Sequence, residues 1–203
     1  MARRRPQRSP QKVGAGKQQL RIIGGEWRGR KLNFPESEGL RPTPDRVRET
    51  LFNWLASYVP GGRCLDLFTG SGALAFEALS RGAIHATMID NAPAVIHQLR
   101  QNIQDLKTQH AELITGSALE WLESRSNDLE SQYDVVFLDP PFHKGLAQLC
   151  CQLLEQKNLL SDHAMIYLET EQELTDPQVP ENWQLYREKH AGQVTYRLYE
   201  RNA

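Results

Sequence analysis

Hydrophobic and polar positions change their period along this chain, and each change marks an element. Short apolar runs recur at 63–68, 85–90, 111–115, 133–138 and 164–170. A run such as Tyr133-Asp134-Val135-Val136-Phe137-Leu138 suits a strand covered on both faces. Between these runs the period lengthens, predicting helices at 72–81, 92–106, 117–125 and 144–157. Strand–helix alternation at this pitch implies a parallel sheet with right-handed crossovers. The two ends of the chain differ. Leu20 to Ile23 and Lys31 to Phe34 alternate loosely around Gly24-Gly25 and Arg28-Gly29-Arg30, predicting a small β-hairpin with a basic turn. After Arg41-Pro42-Thr43-Pro44-Asp45, residues Val47, Leu51, Trp54 and Leu55 form a helical stripe that Pro60-Gly61-Gly62 ends. Trp183 to His190 and Val194 to Arg201 flank Ala191-Gly192, an antiparallel hairpin placed to close a sheet edge. The expected fold is therefore α/β: a Rossmann-like, mostly parallel sheet with an antiparallel C-terminal hairpin and a small N-terminal β-hairpin extension.

Three regions follow. Residues 1–19 carry Pro, Gly, Gln and Ser among basic residues, cannot build a core, and are expected to be a disordered basic arm. Residues 20–58 form the hairpin and its helix, and 59–203 the α/β domain. Charge separates along the same lines. Through Arg48 the chain has 13 Lys and Arg against 4 acids, whereas the remainder has 11 against 21. A basic quarter on an acidic body points to a polyanionic partner, the alternative for the arm being a solubilising tail. Cys64, Cys150 and Cys151 show no paired spacing and read as inert thiols of a reducing compartment. The six histidines lack metal-ligand spacing, so no metal is expected. Without an apolar run of membrane length or a secretory pattern behind Met1, the expected location is the cytoplasm, with no membrane partner.

The chemistry concentrates in two stretches. In Leu65-Asp66-Leu67-Phe68-Thr69-Gly70-Ser71-Gly72 a strand runs into a glycine turn that opens a helix. Gly70 and Gly72 let backbone approach a ligand, and amides at a helix start favour an anionic group. Asp90 ends the next strand, 18 residues after Gly72, where a carboxylate can accept bonds from both ribose hydroxyls of an adenosine. Gly70-x-Gly72-x-x-Ala75 also fits the dinucleotide pattern, which keeps an NAD oxidoreductase in view. Asp66 argues against it, because a carboxylate at the turn's mouth repels a pyrophosphate and attracts a cation. S-adenosylmethionine, with an ammonium, a sulfonium and no phosphate, fits better. The plainer readings are that Asp66 caps the turn and that Asp90, followed by Asn91 and Pro93, caps the next helix.

The second stretch is Asp139-Pro140-Pro141-Phe142, at the carboxyl end of an apolar strand. An exocyclic amine on a base is a poor nucleophile, since its lone pair is delocalised into the ring. Asp139 and the Pro140 carbonyl can each accept a hydrogen bond from such an amine, turning the lone pair outward and stabilising developing positive charge. Pro140 and Pro141 fix the loop's φ angles, and Phe142 can stack on an extruded base. The alternative is a turn in which Asp139 caps the following helix and Phe142 is core.

These residues resemble the class I methyltransferases that methylate amino groups, whose fourth motif is Asp/Asn/Ser-Pro-Pro-Tyr/Phe. The stretch from Ile23-Gly24-Gly25-Glu26-Trp27-Arg28-Gly29-Arg30-Lys31-Leu32 through Arg41-Pro42-Thr43-Pro44-Asp45-Arg46-Val47-Arg48-Glu49-Thr50-Leu51-Phe52-Asn53 is very similar to the bacterial RsmD family. The similarity spans 20–203. It implies transfer of a methyl group from S-adenosylmethionine to the 2-amino group of one guanine in 16S ribosomal RNA. By that resemblance Asp66, Gly70 and Gly72 hold the methionine end, Asp90 the ribose and Ser117 the adenine, with Asn91 and Ala118 also binding the cofactor. Arg41 and Thr43 cover the cofactor, and Asp139 to Phe142 hold the guanine. Many relatives place an acid after the third strand, where this chain has Gly116-Ser117-Ala118. Arg28, Arg30, Lys31 and Arg46 are the expected phosphate contacts, and Trp27 either stacks on a base or packs the hairpin. The expected partner is ribosomal RNA, a small subunit or an assembly intermediate, met by a monomer. Remaining rivals are adenine 6-amino or glutamine amide methylation, and a non-catalytic RNA-binding assembly factor.

Overall fold

The computed structural model describes residues 18–35, 43–126 and 132–202; most of the expected basic arm, and Arg41, lie outside them. Strands β1 (Gln18–Arg21) and β2 (Lys31–Phe34) pair antiparallel, so Gln18 and Gln19 belong to the hairpin rather than to the arm. Helix α1 (Asp45–Trp54) follows. The α/β part then runs β3 (Arg63–Asp66), α2 (Ala73–Ser80), β4 (His85–Asp90), α3 (Pro93–Leu106), β5 (Ala111–Thr115), α4 (Ala118–Glu123), β6 (Tyr133–Leu138), α5 (Leu146–Gln156), β7 (Leu160–Glu171), β8 (Trp183–Ala191) and β9 (Val194–Arg201). The expected strands and helices are all present, with shifted ends. The largest shift is β7, which begins at Leu160 because a register shift against β6 lets the polar Ser161-Asp162-His163 stretch bulge.

One seven-stranded sheet has the order β5-β4-β3-β6-β7-β9-β8. The first five strands are parallel, and β9 joins β7 antiparallel with β8 outside it. The chain winds outward from β3 through β4 to β5, then returns to place β6 on the other side of β3. At such a reversal the two flanking crossovers leave in opposite directions, opening a crevice beyond the strand ends.

Successive side chains of each strand enter opposite layers. Cys64, Phe137 and Tyr167 pack one face with Leu51, Phe52 and Phe76 of α1 and α2, while Leu65, Val136 and Leu168 pack the other with Leu122 and Leu154 of α4 and α5. Helix α1 is thus a core element: Phe52 meets Phe137 at 5.9 Å between ring centroids, and Trp54 meets Tyr196 at the same separation.

The hairpin's turn is fastened to the far ends of two helices. The Glu26 and Trp27 amides donate to the carbonyl and the hydroxyl of Ser80, at 2.7 and 2.9 Å. Gly25 lies so close to Ser80 that a Cβ would fall 1.7 Å from its carbonyl oxygen. Arg30 Nη2 donates to the Asp105 carbonyl at 2.7 Å near the end of α3. Trp27 is partly buried and packs against the core.

Glu77 is the one charged residue in α2 and is wholly buried. Its carboxylate accepts from the Ile23 amide at 2.9 Å and Arg81 Nε at 2.8 Å, and meets Arg48 Nη1 at 3.5 Å. Arg48, also buried, donates to the carbonyls of Thr43 (3.2 Å) and Arg21 (2.9 Å) and pairs with Asp45. A buried ion is tolerable only when so partnered. The four partners of Arg48 join α1, α2, β1 and the segment entering α1.

Candidate active site

A cleft of about 1230 Å³ opens over the carboxyl ends of β3, β4, β5, β6 and β7. Asp66, Gly70, Asp90, Asn91, Ser117 and Ala118 line one part of it, and Asp139, Pro140, Pro141 and Phe142 the other. Thr43, at the entrance to α1, joins the wall. The two stretches singled out in the sequence therefore meet in one cavity.

Asp66 is the last residue of β3 and 4% exposed. The nearby Ala75 and Phe68 amides favour its charged form, and it lines the cleft. Desolvation and the charge of Asp90 outweigh those amides and push its pKa up to about 7 from 3.8. A carboxyl held there gains charge readily when a cation arrives.

Gly70 and Gly72 both take positive φ, 51° and 78°. Gly70 lines the cleft, but Gly72 does not and turns inward. A Cβ on Gly72 would lie 2.5 Å from the Phe76 ring and 2.8 Å from Leu99 Cδ2. Its glycine is required by the turn and by the packing of α2 on α3.

Asp90 accepts the Gly70 amide through Oδ2 at 3.0 Å and the Ala92 amide through Oδ1 at 2.8 Å. One carboxylate thus ties the glycine turn to the start of α3, and its remaining lone pairs face the cleft. Ser117 occupies the N-cap position of α4 without a side-chain capping bond.

Asp139 follows β6, partly exposed to the cleft. Its pKa is raised well above the usual carboxylate range, first by desolvation and then by Glu169 and Asp66. Phe142 belongs to neither core and stands edge-on to His143, with centroids 6.5 Å apart. His143 takes a left-handed φ of 59°, and its amide reaches Glu171 Oε1 at 3.4 Å, which pins the loop to β7.

Glu169 and Glu171 also line the cleft, and neither stood out in the sequence. A carboxylate near the end of the otherwise apolar Ala164-Met165-Ile166-Tyr167-Leu168 run was the available signal. Of the expected phosphate contacts, Arg46 is exposed on the first turn of α1, close enough to Tyr196 to influence it electrostatically. Arg28, Arg30 and Lys31 are exposed on the hairpin, whose fastening to Ser80 and Asp105 puts them at the opposite end of α2 and α3 from the cleft.

A family model described as Conserved hypothetical protein 95 matches residues 20–200. "Ribosomal RNA small subunit methyltransferase D" of Escherichia coli strain K12 is 51% identical over 196 residues, 97% of this chain and 96% of that protein. The protein of the same description from Haemophilus influenzae is 51% identical over 187 residues, 91% and 95% of the two chains. The solved structure "Putative methyltransferase yhhF from Escherichia coli" superposes with a TM-score of 0.85 at 50% identity, covering 92% of this chain and 99% of its own.

Proposed function

We propose the function from one premise: the chain belongs to the ribosomal RNA small subunit methyltransferase D family. It is an S-adenosylmethionine-dependent methyltransferase of 16S ribosomal RNA, and the acceptor we assign is the 2-amino group of a guanine. The observation that carries this reading is the meeting of Asp66 and Asp139 in one cleft at the strand-order reversal. Membership in a methyltransferase family sets aside the oxidoreductase and non-catalytic readings.

The residues present fit the cofactor. Asp66 would hold the ammonium, Asp90 and Asn91 the ribose, and Ser117 and Ala118 the adenine, with Thr43 and Arg41 covering it. When bound, S-adenosylmethionine supplies an electrophilic methyl group. The protein's task is to present a nucleophile. Asp139 and the Pro140 carbonyl accept the two amino hydrogens, so the nitrogen can pyramidalise and its lone pair withdraws from conjugation with the ring to face the methyl group. The same carboxylate stabilises the cationic amine and takes its proton, a role suited to a carboxyl with a raised pKa. Phe142 stacks on the base while Pro140 and Pro141 keep the loop rigid.

For the RNA, Arg46 is exposed on the first turn of α1, three residues from the cleft-lining Thr43, and Arg28, Arg30 and Lys31 form a second basic site. Phosphates some distance apart along the RNA would meet the two. Arg30 is partly committed to Asp105, which leaves Arg28 and Lys31 the stronger contacts there. We assign the enzyme to act as a monomer on the small subunit or its assembly intermediate, in the cytoplasm. No described helix is long and apolar enough to cross a membrane. The test is transfer of labelled methyl to RNA and particles from cells lacking this gene, followed by nucleoside analysis. Labelled 2-methylguanosine is expected, and 6-methyladenosine would overturn the guanine assignment.

A further inference from the structure

We infer that Glu169 selects guanine at the target site, accepting the ring N1–H while Asp139 accepts from the neighbouring 2-amino group. The inference rests on the guanine reading above.

Strands β6 and β7 are parallel, with Leu138 beside Leu168. The next residues along, Asp139 and Glu169, are therefore neighbours, about 4.8 Å apart across the strands. By alternation both face the side of the sheet that carries Phe137 and Tyr167. Both line the cleft. Burial raises the pKa of both, and the charge of Glu169 raises Asp139 further.

Tyr167 fixes the role of Glu169. Its hydroxyl donates to Glu169 Oε2 at 2.7 Å, and burial together with that charge holds the phenol far above its ordinary pKa, so it remains a donor. The bond favours the ionised carboxylate and opposes its desolvation. It also stops the side chain from swinging away. The result is two acceptors in a row, with Asp66 deeper in the same face.

Guanine presents a row of donors, N1–H followed by the amino hydrogens, and two carboxylates match it. Adenine presents its amino group beside a bare N1, whose lone pair would face the Glu169 carboxylate. A buried acceptor set against another acceptor is the arrangement that rejects a base most strongly. The amino-binding loop alone cannot make this distinction, because both bases carry an exocyclic amine. Glu169 makes it.

The experiment uses small subunits reconstituted with 16S RNA carrying guanosine or 2-aminopurine at the methylated position. 2-Aminopurine keeps the 2-amino group but has no N1–H. Wild-type enzyme should favour guanosine in kcat/KM by roughly 10- to 100-fold. In Glu169→Ala that preference should shrink towards unity, because guanosine loses a partner and 2-aminopurine does not. Glu169→Gln keeps the side-chain volume, an acceptor oxygen and the Tyr167 bond, and should fall between. An undiminished preference in Glu169→Ala, or an equal loss on both substrates, would overturn the inference while leaving the guanine reading standing. Wild-type enzyme that forms no 2-methylguanosine overturns both.

Discussion

Asp66→Asn separates what the fold prefers from what the cofactor requires. Asp66 titrates near 7 in the folded chain against 3.8 for a free side chain, because it is 4% exposed and faces Asp90. A carboxyl whose folded pKa is raised binds its proton more tightly when folded. Its contribution to stability is therefore full in acid and is lost as pH rises towards and through 7. Integrating over those two values, ionising Asp66 costs about 4 kcal/mol by pH 8, of which about 1 kcal/mol arises between pH 6 and 8. Asparagine removes the charge and keeps the size of the side chain, but it leaves an amide N–H needing a partner. The net gain should be about 1–3 kcal/mol at pH 8 and smaller at pH 6. Cofactor binding should run the other way. Adenosylhomocysteine retains the ammonium, so wild-type affinity should rise roughly tenfold from pH 6 to 8 as Asp66 ionises, whereas the variant should bind weakly with no such rise. Urea unfolding and calorimetry at both pH values measure each arm. A variant no more stable at pH 8 that binds adenosylhomocysteine as tightly as wild type would refute the argument.

Glu77→Ala removes the shared partner of Arg48, Arg81 and the Ile23 amide and should destabilise by about 3–5 kcal/mol, lowering the urea midpoint by roughly 1–2 M. A change below about 1 kcal/mol would mean that this buried carboxylate does not tie the hairpin to α2. Asp139→Ala should lower kcat roughly 100- to 1000-fold with adenosylhomocysteine affinity within a few-fold of wild type, and near-normal turnover would remove the proposed amine clamp. Deleting residues 1–17, which carry six Lys and Arg, should weaken RNA binding and flatten its dependence on salt, since each phosphate neutralised contributes about 0.7–0.9 to the slope. An unchanged slope would assign that segment to something other than RNA.

The strands of the α/β part were legible because burial on both faces leaves little choice but continuous apolar runs, as in Tyr133 to Leu138. The glycine turn and the Asp139 loop were legible for a different reason: both interrupt an apolar run with residues whose backbone geometry is restricted. What escaped depended on contacts between distant residues. Arg48 reads as one more cation on a polar helix until Glu77, Thr43 and Arg21 surround it, and α1 then proves to have a charged group on its buried side. Gly72 looks like a ligand contact because Gly70 and Ser71 beside it line the cleft, and only the positions of Phe76 and Leu99 reveal its packing role. Glu169 was hidden by register. Its closeness to Asp139 depends on how β7 lies against β6, and the bulge at Ser161 to His163 obscures that offset in the sequence.

β3 and β6 lie side by side in the middle of the sheet, with strands beyond them on both sides and helices over both faces. Amide protons of Leu65 and Val136 should consequently exchange only through opening of the whole domain, whereas those of the short β1–β2 hairpin escape through local fluctuations. Moderate heating would then strip the enzyme of its grip on the nucleic acid first. The methyl-donor compartment, anchored on the two slowest strands, would be the last part of the molecule to fail.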